Sequence, residues 1–291
     1  MGLLVKSFFL SFGVFGRMIL PMIAISAVSG IVWGMLSAVT GGYASILSGP
    51  ITAAFTSLFG IRAALSLMGD HRRPEYQILT LYSILFGIFF IIAKNVAIVI
   101  PDFVTAIYTH WKYGEAISLT SFVNTDKLLM SAIGYQELTL QAVVSFAIYV
   151  AICVIMVVPL ASVARSAGRG AKSAGFFDGA GRSFIPLFCI FSVSIFFQFF
   201  FGLLSVLMVS LPIALALLSM LITQSLPDLD PIRILQGLAV SGGLLWLQSW
   251  TWAAAALALV KNEKITEQQH SAAATQEVTA VDLRSLRKSR E

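Results

Sequence analysis

The sequence predicts an all-α polytopic integral membrane protein, a helical bundle of six transmembrane helices with seven as the alternative. Three observations support this fold class. Hydrophobic residues make up 58% of the 291 residues and charged residues only 11%, against about 25% charged in soluble domains. The mean hydropathy is +0.88. Several apolar stretches are continuous over the roughly 20 residues of a membrane-spanning helix, whereas barrel strands would alternate over about 10 residues.

The chain divides into three predicted regions. Residues 1–17 are rich in phenylalanine and are expected to lie along the membrane interface. Residues 18–260 form the transmembrane domain, and residues 261–291 form a polar, flexible tail. The predicted spans lie at about 18–39, 48–68, 77–100, 138–160, 184–226 and 236–260.

Glycine, proline and charge bound the first three spans. Arg17 precedes the first span, and a glycine-rich turn at 40–43 ends it. The polar stop at 71–75 ends the second span. Pro101 and Asp102 are expected to end the third span, because proline disfavours continuation of a helix.

The later spans are divided less evenly. An acidic segment, 101–137, precedes the fourth span, and a basic loop, 161–183, follows it. The uncharged stretch 184–226 would make roughly 65 Å of helix, about twice the hydrocarbon thickness. Two crossings there give seven spans, whereas one crossing with a re-entrant segment gives six. An acidic break at 227–231 precedes the last span.

Loop charge predicts the orientation of the spans. Positive residues favour the cytoplasmic side, so Arg72, Arg73 and the loop 161–183 are expected in the cytoplasm and the segment 101–137 outside. The N-terminus is then cytoplasmic. The basic end of the tail favours a cytoplasmic C-terminus and therefore six spans. The expected location is the inner membrane of a bacterium.

Two similar segments indicate an internal repeat of a three-helix unit. Residues 16–21, Gly-Arg-Met-Ile-Leu-Pro, resemble residues 181–186, Gly-Arg-Ser-Phe-Ile-Pro, and both enter a predicted span. Pro21 and Pro186 are expected in the first helical turn, where a missing N–H costs little. Both prolines are candidate helix-packing residues. Parallel copies of the unit would favour seven spans, against the charge of the tail.

Basic residues near the ends of the spans are candidate contacts with lipid headgroups or partner proteins. Arg62 and Lys94 are the charged residues within the apolar stretches, and Arg62 is expected to reach the interface or to pair with Asp70. The expected partners are the bilayer and other membrane proteins, and not nucleic acid. The candidate contact residues are Arg17, Arg62, Arg72, Arg73, Lys94, Arg165, Arg169, Lys172 and Arg182.

Aromatic and amide side chains complete the candidate residues. Trp246 and Trp250, one turn apart, are candidate helix-packing residues, and Gln248 is expected to bridge helices or to line a cavity. The sequence contains no recognisable catalytic, cofactor-binding or metal-ligating pattern. It therefore favours a non-enzymatic structural or accessory subunit that packs against partners in a larger membrane assembly. The alternative is a transporter or channel for a small or lipidic solute.

Overall fold

A computed structural model describes residues 2–113, 135–168, 180–205, 207 and 231–288. These ranges are almost entirely helical, because long apolar stretches satisfy their backbone hydrogen bonds internally in this form. The helices are α1 (Leu3–Val39), α2 (Ala44–Leu67), α3 (Tyr76–Tyr113), α4 (Tyr135–Ser166), α5 (Ala180–Ser205) and α6 (Pro231–Lys288).

Within the described ranges, six helices are long and apolar enough to cross a membrane, which confirms the predicted all-α multi-pass membrane fold. The predicted alternative of a seventh span depends on residues 208–226, which lie outside the described residues. The candidate contact residues Arg169 and Lys172 also lie outside them. The side of the membrane on which each terminus lies stays a prediction.

Three helices are longer than the predicted spans. α1 begins at Leu3 rather than near residue 18, and α3 continues past Pro101 to Tyr113. Proline removes one donor from a helix, and long membrane helices tolerate this loss. α6 runs to Lys288, so residues 261–288 are helical; that they form a flexible tail stays a prediction. These residues contain neither glycine nor proline and are rich in strong helix formers.

Pro21 and Pro186 lie inside α1 and α5 and not in their first turns. The expectation that each proline starts a helix is therefore wrong. The reason is that both helices include residues upstream of the predicted starts, as far back as Leu3 and Ala180. Both prolines are half-buried. The internal repeat that they suggested stays a prediction.

The six described helices pack as a ring in chain order. Each helix contacts the next one, and α6 closes the ring against α1. α2, α4 and α6 also contact one another across the middle. The turn between α1 and α2 contains Gly41 and Gly42 at φ 61° and 94°, and the turn after α2 contains Gly69 at φ 101°. Residues with a side chain rarely adopt these positive φ angles, so glycine permits both tight reversals.

The N-terminal half of α1 packs against the bundle. Ser7, Ser11, Val14 and Met18 are buried and repeat at helical spacing, so they share one face of α1. The Ser7 hydroxyl accepts a hydrogen bond from Trp250 Nε1 on α6 at 3.0 Å. This packing fixes the segment relative to α6. The predicted position of residues 1–17 at the lipid interface stays a prediction.

Candidate functional site

A central cavity of about 450 Å³, partly open to its surroundings, lies between the helices, and residues from all six described helices line it. Its volume falls in the range of roughly 300–1,000 Å³ that is typical of ligand sites. Apolar side chains such as Phe86, Phe90 and Met156 form most of its wall. The polar side chains of the lining are Ser26, Thr52, Thr56, Ser57, Tyr149, Cys153, Gln198, Gln248 and Thr251.

Thr52 joins α1 to α2 at the edge of this cavity. Its hydroxyl lies 2.6 Å from Ser29 Oγ and accepts a hydrogen bond from Trp33 Nε1 at 3.2 Å. Thr56, one turn further along α2, donates to the carbonyl of Ala53 at 3.0 Å. The bonds of Thr52 with Ser29 and Trp33 hold α1 and α2 together, because lipid offers no competing partner.

Two glutamines line the cavity: Gln198 on α5 and Gln248 on α6. Gln198 Nε2 donates to Ser194 Oγ at 3.0 Å, and Ser194 Oγ donates to the carbonyl of Leu247 at 3.1 Å. This relay joins α5 to α6. The sequence predicts that Gln248 either bridges helices or lines a cavity, and its place in the cavity lining agrees with the second of these roles.

Trp252 on α6 lines the cavity and packs directly against Gly60 on α2. A Cβ atom on Gly60 would lie 2.2 Å from Trp252 Cε3, whereas carbon atoms in contact are about 3.5–4.0 Å apart. Glycine at position 60 is therefore required for this approach. Trp252 is only 3% exposed. Along α2, Gly60 lies between Ser57, which lines the cavity, and Arg62.

Arg62 forms a buried ion pair with Asp70, which confirms that predicted pairing. The Nη1 to Oδ2 distance is 2.7 Å, and Nη2 donates to the carbonyl of Arg72 at 2.5 Å. Gly168, just after α4, packs against the guanidinium, because a Cβ there would lie 2.8 Å from Nη2. Arg62 Nε is buried without a hydrogen-bond partner in the described part of the chain. The pair thus ties the end of α2 to the following turn and to α4.

The ionisation of Asp70 follows from these contacts. Burial acts to raise the pKa of its carboxyl group, but the hydrogen bond and charge of Arg62, with the N–H and charge of Arg72, lower the pKa below its usual value. Arg72 Nε lies 3.8 Å from Asp70 Oδ1. Asp70 is therefore a stable anion at neutral pH, so the ion pair persists.

Further polar contacts lie at the same end of the bundle, which we call the polar end: the end of α2, the end of α4, the start of α5 and residues 262–269 of α6. Arg165 Nη1 lies 2.5 Å from Glu263 Oε2 and so joins α4 to α6. The start of α5 is joined to α6 by Ser183, whose hydroxyl lies 3.1 Å from Asn262 Oδ1. Arg182 adds a hydrogen bond to Gln269 Oε1 at 3.3 Å.

The other predicted contact residues are not gathered into one site. Arg17 on α1 donates to Ser66 Oγ on α2 at 2.5 Å. Arg72 and Arg73 are exposed in the turn between α2 and α3, and Lys94 is exposed on α3. Their roles as contacts with lipid headgroups or partners stay predictions.

The predicted packing residues Trp246 and Trp250 lie in an aromatic cluster with α1. Their rings stack with centroids 6.2 Å apart. Phe8 meets both rings edge-on, with centroids 5.6 Å from Trp246 and 6.0 Å from Trp250. Such edge-to-face pairs are each worth about 0.5–1.5 kcal/mol beyond burial. The cluster holds the N-terminal half of α1 on α6.

Sequence reasoning missed the hydroxyl groups of the cavity. Ser26, Thr52, Thr56 and Ser57 are ordinary residues of apolar helices, and their spacing does not distinguish a cavity from a helix contact. A weak signal existed in the four-residue spacing of Thr52 and Thr56, which places both on one face of α2.

Potential metal ligands are not clustered in the described ranges. No group of three or more His, Cys, Asp or Glu side chains there is arranged to hold a metal ion. Comparison with protein-family models, curated protein sequences and solved structures gives no match to the chain. The function is therefore argued from the cavity and the polar end.

Proposed function

We propose that the chain is a membrane transporter or channel for a small or lipidic solute, with the central cavity as its solute site. The observation that carries the proposal is a cavity of about 450 Å³ to which all six described helices contribute. Protein interiors are close-packed, with few voids larger than a water molecule. A partly open pocket of this size, lined by every described helix, is typical of a ligand site rather than of a surface that only packs against partners.

The contact between Trp252 and Gly60 supports a mechanism of alternating closure. Along α2, Gly60 and the Arg62–Asp70 pair follow Ser57 of the cavity lining, so we expect them to close the path from the cavity toward the polar end. Passage in that direction requires α6 to move Trp252 away from Gly60. Transporters commonly place the solute site between helices near the middle of the membrane and open it to one side at a time.

Uptake into liposomes tests this proposal. The purified chain is reconstituted alone, and entry of radiolabelled glycerol, glucose and n-octyl glucoside is measured, with rubidium ion as the charged comparison. At least one uncharged solute should enter faster than into empty liposomes. Ser57→Trp fills the cavity and should abolish this uptake, whereas Ile23→Trp, at a position 64% exposed on α1, should retain it.

Two results would contradict the proposal. The first is uptake of all four solutes at the rate of empty liposomes by a monodisperse preparation. The second is full uptake by a folded Ser57→Trp protein, because a route through the cavity cannot pass a tryptophan side chain unhindered. Size-exclusion profiles of both variants establish that they are folded.

A second candidate function, the accessory subunit that the sequence favours, is supported by α6. This helix continues to Lys288, well beyond Gln269, the last residue of its apolar candidate span. Isolated polar helices are marginally stable in water. A partner protein that packs against this segment would stabilise it. The inner membrane of a bacterium, with the polar end in the cytoplasm, is the location that we propose for either function.

Extraction in a mild detergent distinguishes the two functions. An assembly subunit should co-purify with stoichiometric partner proteins, and a chain truncated after Gln269 should lose them. Recovery of the full-length chain alone, as a monodisperse species that moves a solute, would exclude the accessory role as its main function.

A further inference from the structure

Three polar side chains in the central cavity have unused hydrogen-bonding capacity. Ser26 on α1, Ser57 on α2 and Gln248 on α6 line the cavity, and none of their side-chain polar atoms has a hydrogen-bond partner within the described ranges. Neighbouring polar groups differ in this respect. Thr251, for example, donates to the backbone carbonyl of Gln248 at 2.7 Å.

These polar groups face a space that lipid chains could not satisfy. Ser26 is exposed and Ser57 and Gln248 are half-buried, so their polar atoms are open to whatever fills the cavity, and lipid chains would supply them with no hydrogen-bond partner. The cavity of about 450 Å³ has room for water or for a small molecule. Its contents are therefore expected to hydrogen-bond with these three side chains.

The lining also restricts the charge of those contents. No Asp, Glu, Lys, Arg or His belongs to the described lining of the cavity. Arg62, further along α2, is already paired with Asp70. An ion that entered would lose its hydration without meeting an opposite charge, which is strongly unfavourable. The aromatic and aliphatic wall instead suits an apolar body.

We propose that the cavity binds an uncharged molecule with an apolar body and a few hydrogen-bonding groups, which Ser26, Ser57 and Gln248 recognise. This inference rests on the same cavity as the proposed function and deepens it by naming the class of ligand. Binding is measured without transport, so the two proposals can fail separately.

The first test measures access to the cavity by cysteine labelling. Both native cysteines are replaced (Cys153→Ser, Cys189→Ser), and Ser26→Cys is introduced into the chain in lipid nanodiscs. The control is Ile23→Cys on the same helix, at a position that is 64% exposed and does not belong to the described lining of the cavity. N-ethylmaleimide reacts with the thiolate, which forms only where water is present. Labelling of Ser26→Cys should be at least tenfold faster than labelling of Ile23→Cys.

The second test measures ligand class by protection from this labelling. n-Octyl glucoside is compared with n-octyl sulfate and n-octyltrimethylammonium, which share its alkyl chain but carry a charge. Octyl glucoside should slow the labelling of Ser26→Cys at a concentration at least tenfold lower than either ion. Gln248→Leu keeps the volume of the side chain but removes its amide group. It should raise the half-protecting concentration of octyl glucoside about tenfold, which corresponds to about 1.4 kcal/mol.

The outcomes separate the alternatives. Equal labelling of Ser26→Cys and Ile23→Cys, equal protection by the ionic amphiphiles, or unchanged protection in a folded Gln248→Leu protein would each overturn the inference. Protection without uptake into liposomes would contradict transport and leave the binding site in place. Uptake without protection would contradict only the class of ligand proposed here.

Discussion

Replacement of Gly60 by alanine tests the close approach of α2 and α6 beside the cavity. The new Cβ would lie 2.2 Å from Trp252 Cε3 and 2.3 Å from Cδ2. Contact distances of about 3.5–4.0 Å mean that the ring or a helix must move by more than about 1 Å. Trp252 is 3% exposed and its ring is rigid, so it has little room to yield. Overpacking of this kind costs about 1–3 kcal/mol.

Gly49→Ala is the matched control on the same helix. Nothing lies within 4 Å of a Cβ atom at Gly49. Both substitutions gain about 1 kcal/mol of helix propensity, because alanine favours a helix over glycine. The difference between their unfolding free energies therefore isolates the cost of overpacking. We expect the free energy of unfolding of Gly60→Ala to be about 1–3 kcal/mol below that of Gly49→Ala.

The assay is unfolding by sodium dodecyl sulfate in mixed micelles, followed by tryptophan fluorescence. The double variant Gly60→Ala with Trp252→Phe should recover part of the loss, because a smaller ring relieves the overlap, and the coupling between the two sites should exceed about 0.5 kcal/mol. The displaced Trp252 should also raise solute uptake by Gly60→Ala. Equal unfolding free energies of Gly60→Ala and Gly49→Ala, within about 0.5 kcal/mol, would refute the reasoning.

Three further predictions concern the ion pair and the topology. Arg62→Ala leaves the half-buried Asp70 with Arg72 as its remaining partner and should lower the unfolding free energy by about 1.5–3 kcal/mol, whereas Arg73→Ala, at an exposed position, should change it by less than about 0.5 kcal/mol; similar losses would contradict a stabilising Arg62–Asp70 pair. The pKa of Asp70 is lowered in the folded protein, so its stabilising contribution is present above the unfolded pKa of about 3.9 and is lost as the pH falls through the lower folded value. Thermal unfolding between about pH 7 and about pH 3 measures this loss of stability, and Asp70→Asn should remove it. A reporter fused after Glu291 should be cytoplasmic, as six spans require, and an external reporter would favour seven.

The membrane class and the first spans were predictable from sequence because lipid imposes a simple local rule. A helix must be apolar over a stretch that matches the bilayer thickness, and α2 (Ala44–Leu67) follows this rule closely. The ends of the helices were less predictable. Pro21 and Pro101 looked like boundaries, but a backbone in low-polarity surroundings gains more from continuing as a helix than it loses at one proline.

The candidate site shows the same division. The Arg62–Asp70 pair was predictable because the two residues are eight positions apart and lie at one end of a span. The Arg165–Glu263 pair was not predictable, because its residues come from α4 and α6. Such long-range pairs depend on which helices are neighbours, and neither the composition nor the local sequence pattern predicts that.

The sequence by itself thus determined that this chain is a multi-pass helical membrane protein, since apolar length is a local property. Only the tertiary structure decided that Ser26, Ser57 and Gln248 line one cavity, since they lie on three different helices. Only the tertiary structure revealed that Gly60 is needed for the packing of Trp252. Both features arise from the order in which the helices close into a ring, and neighbouring helices are chosen by side-chain packing that no single segment encodes.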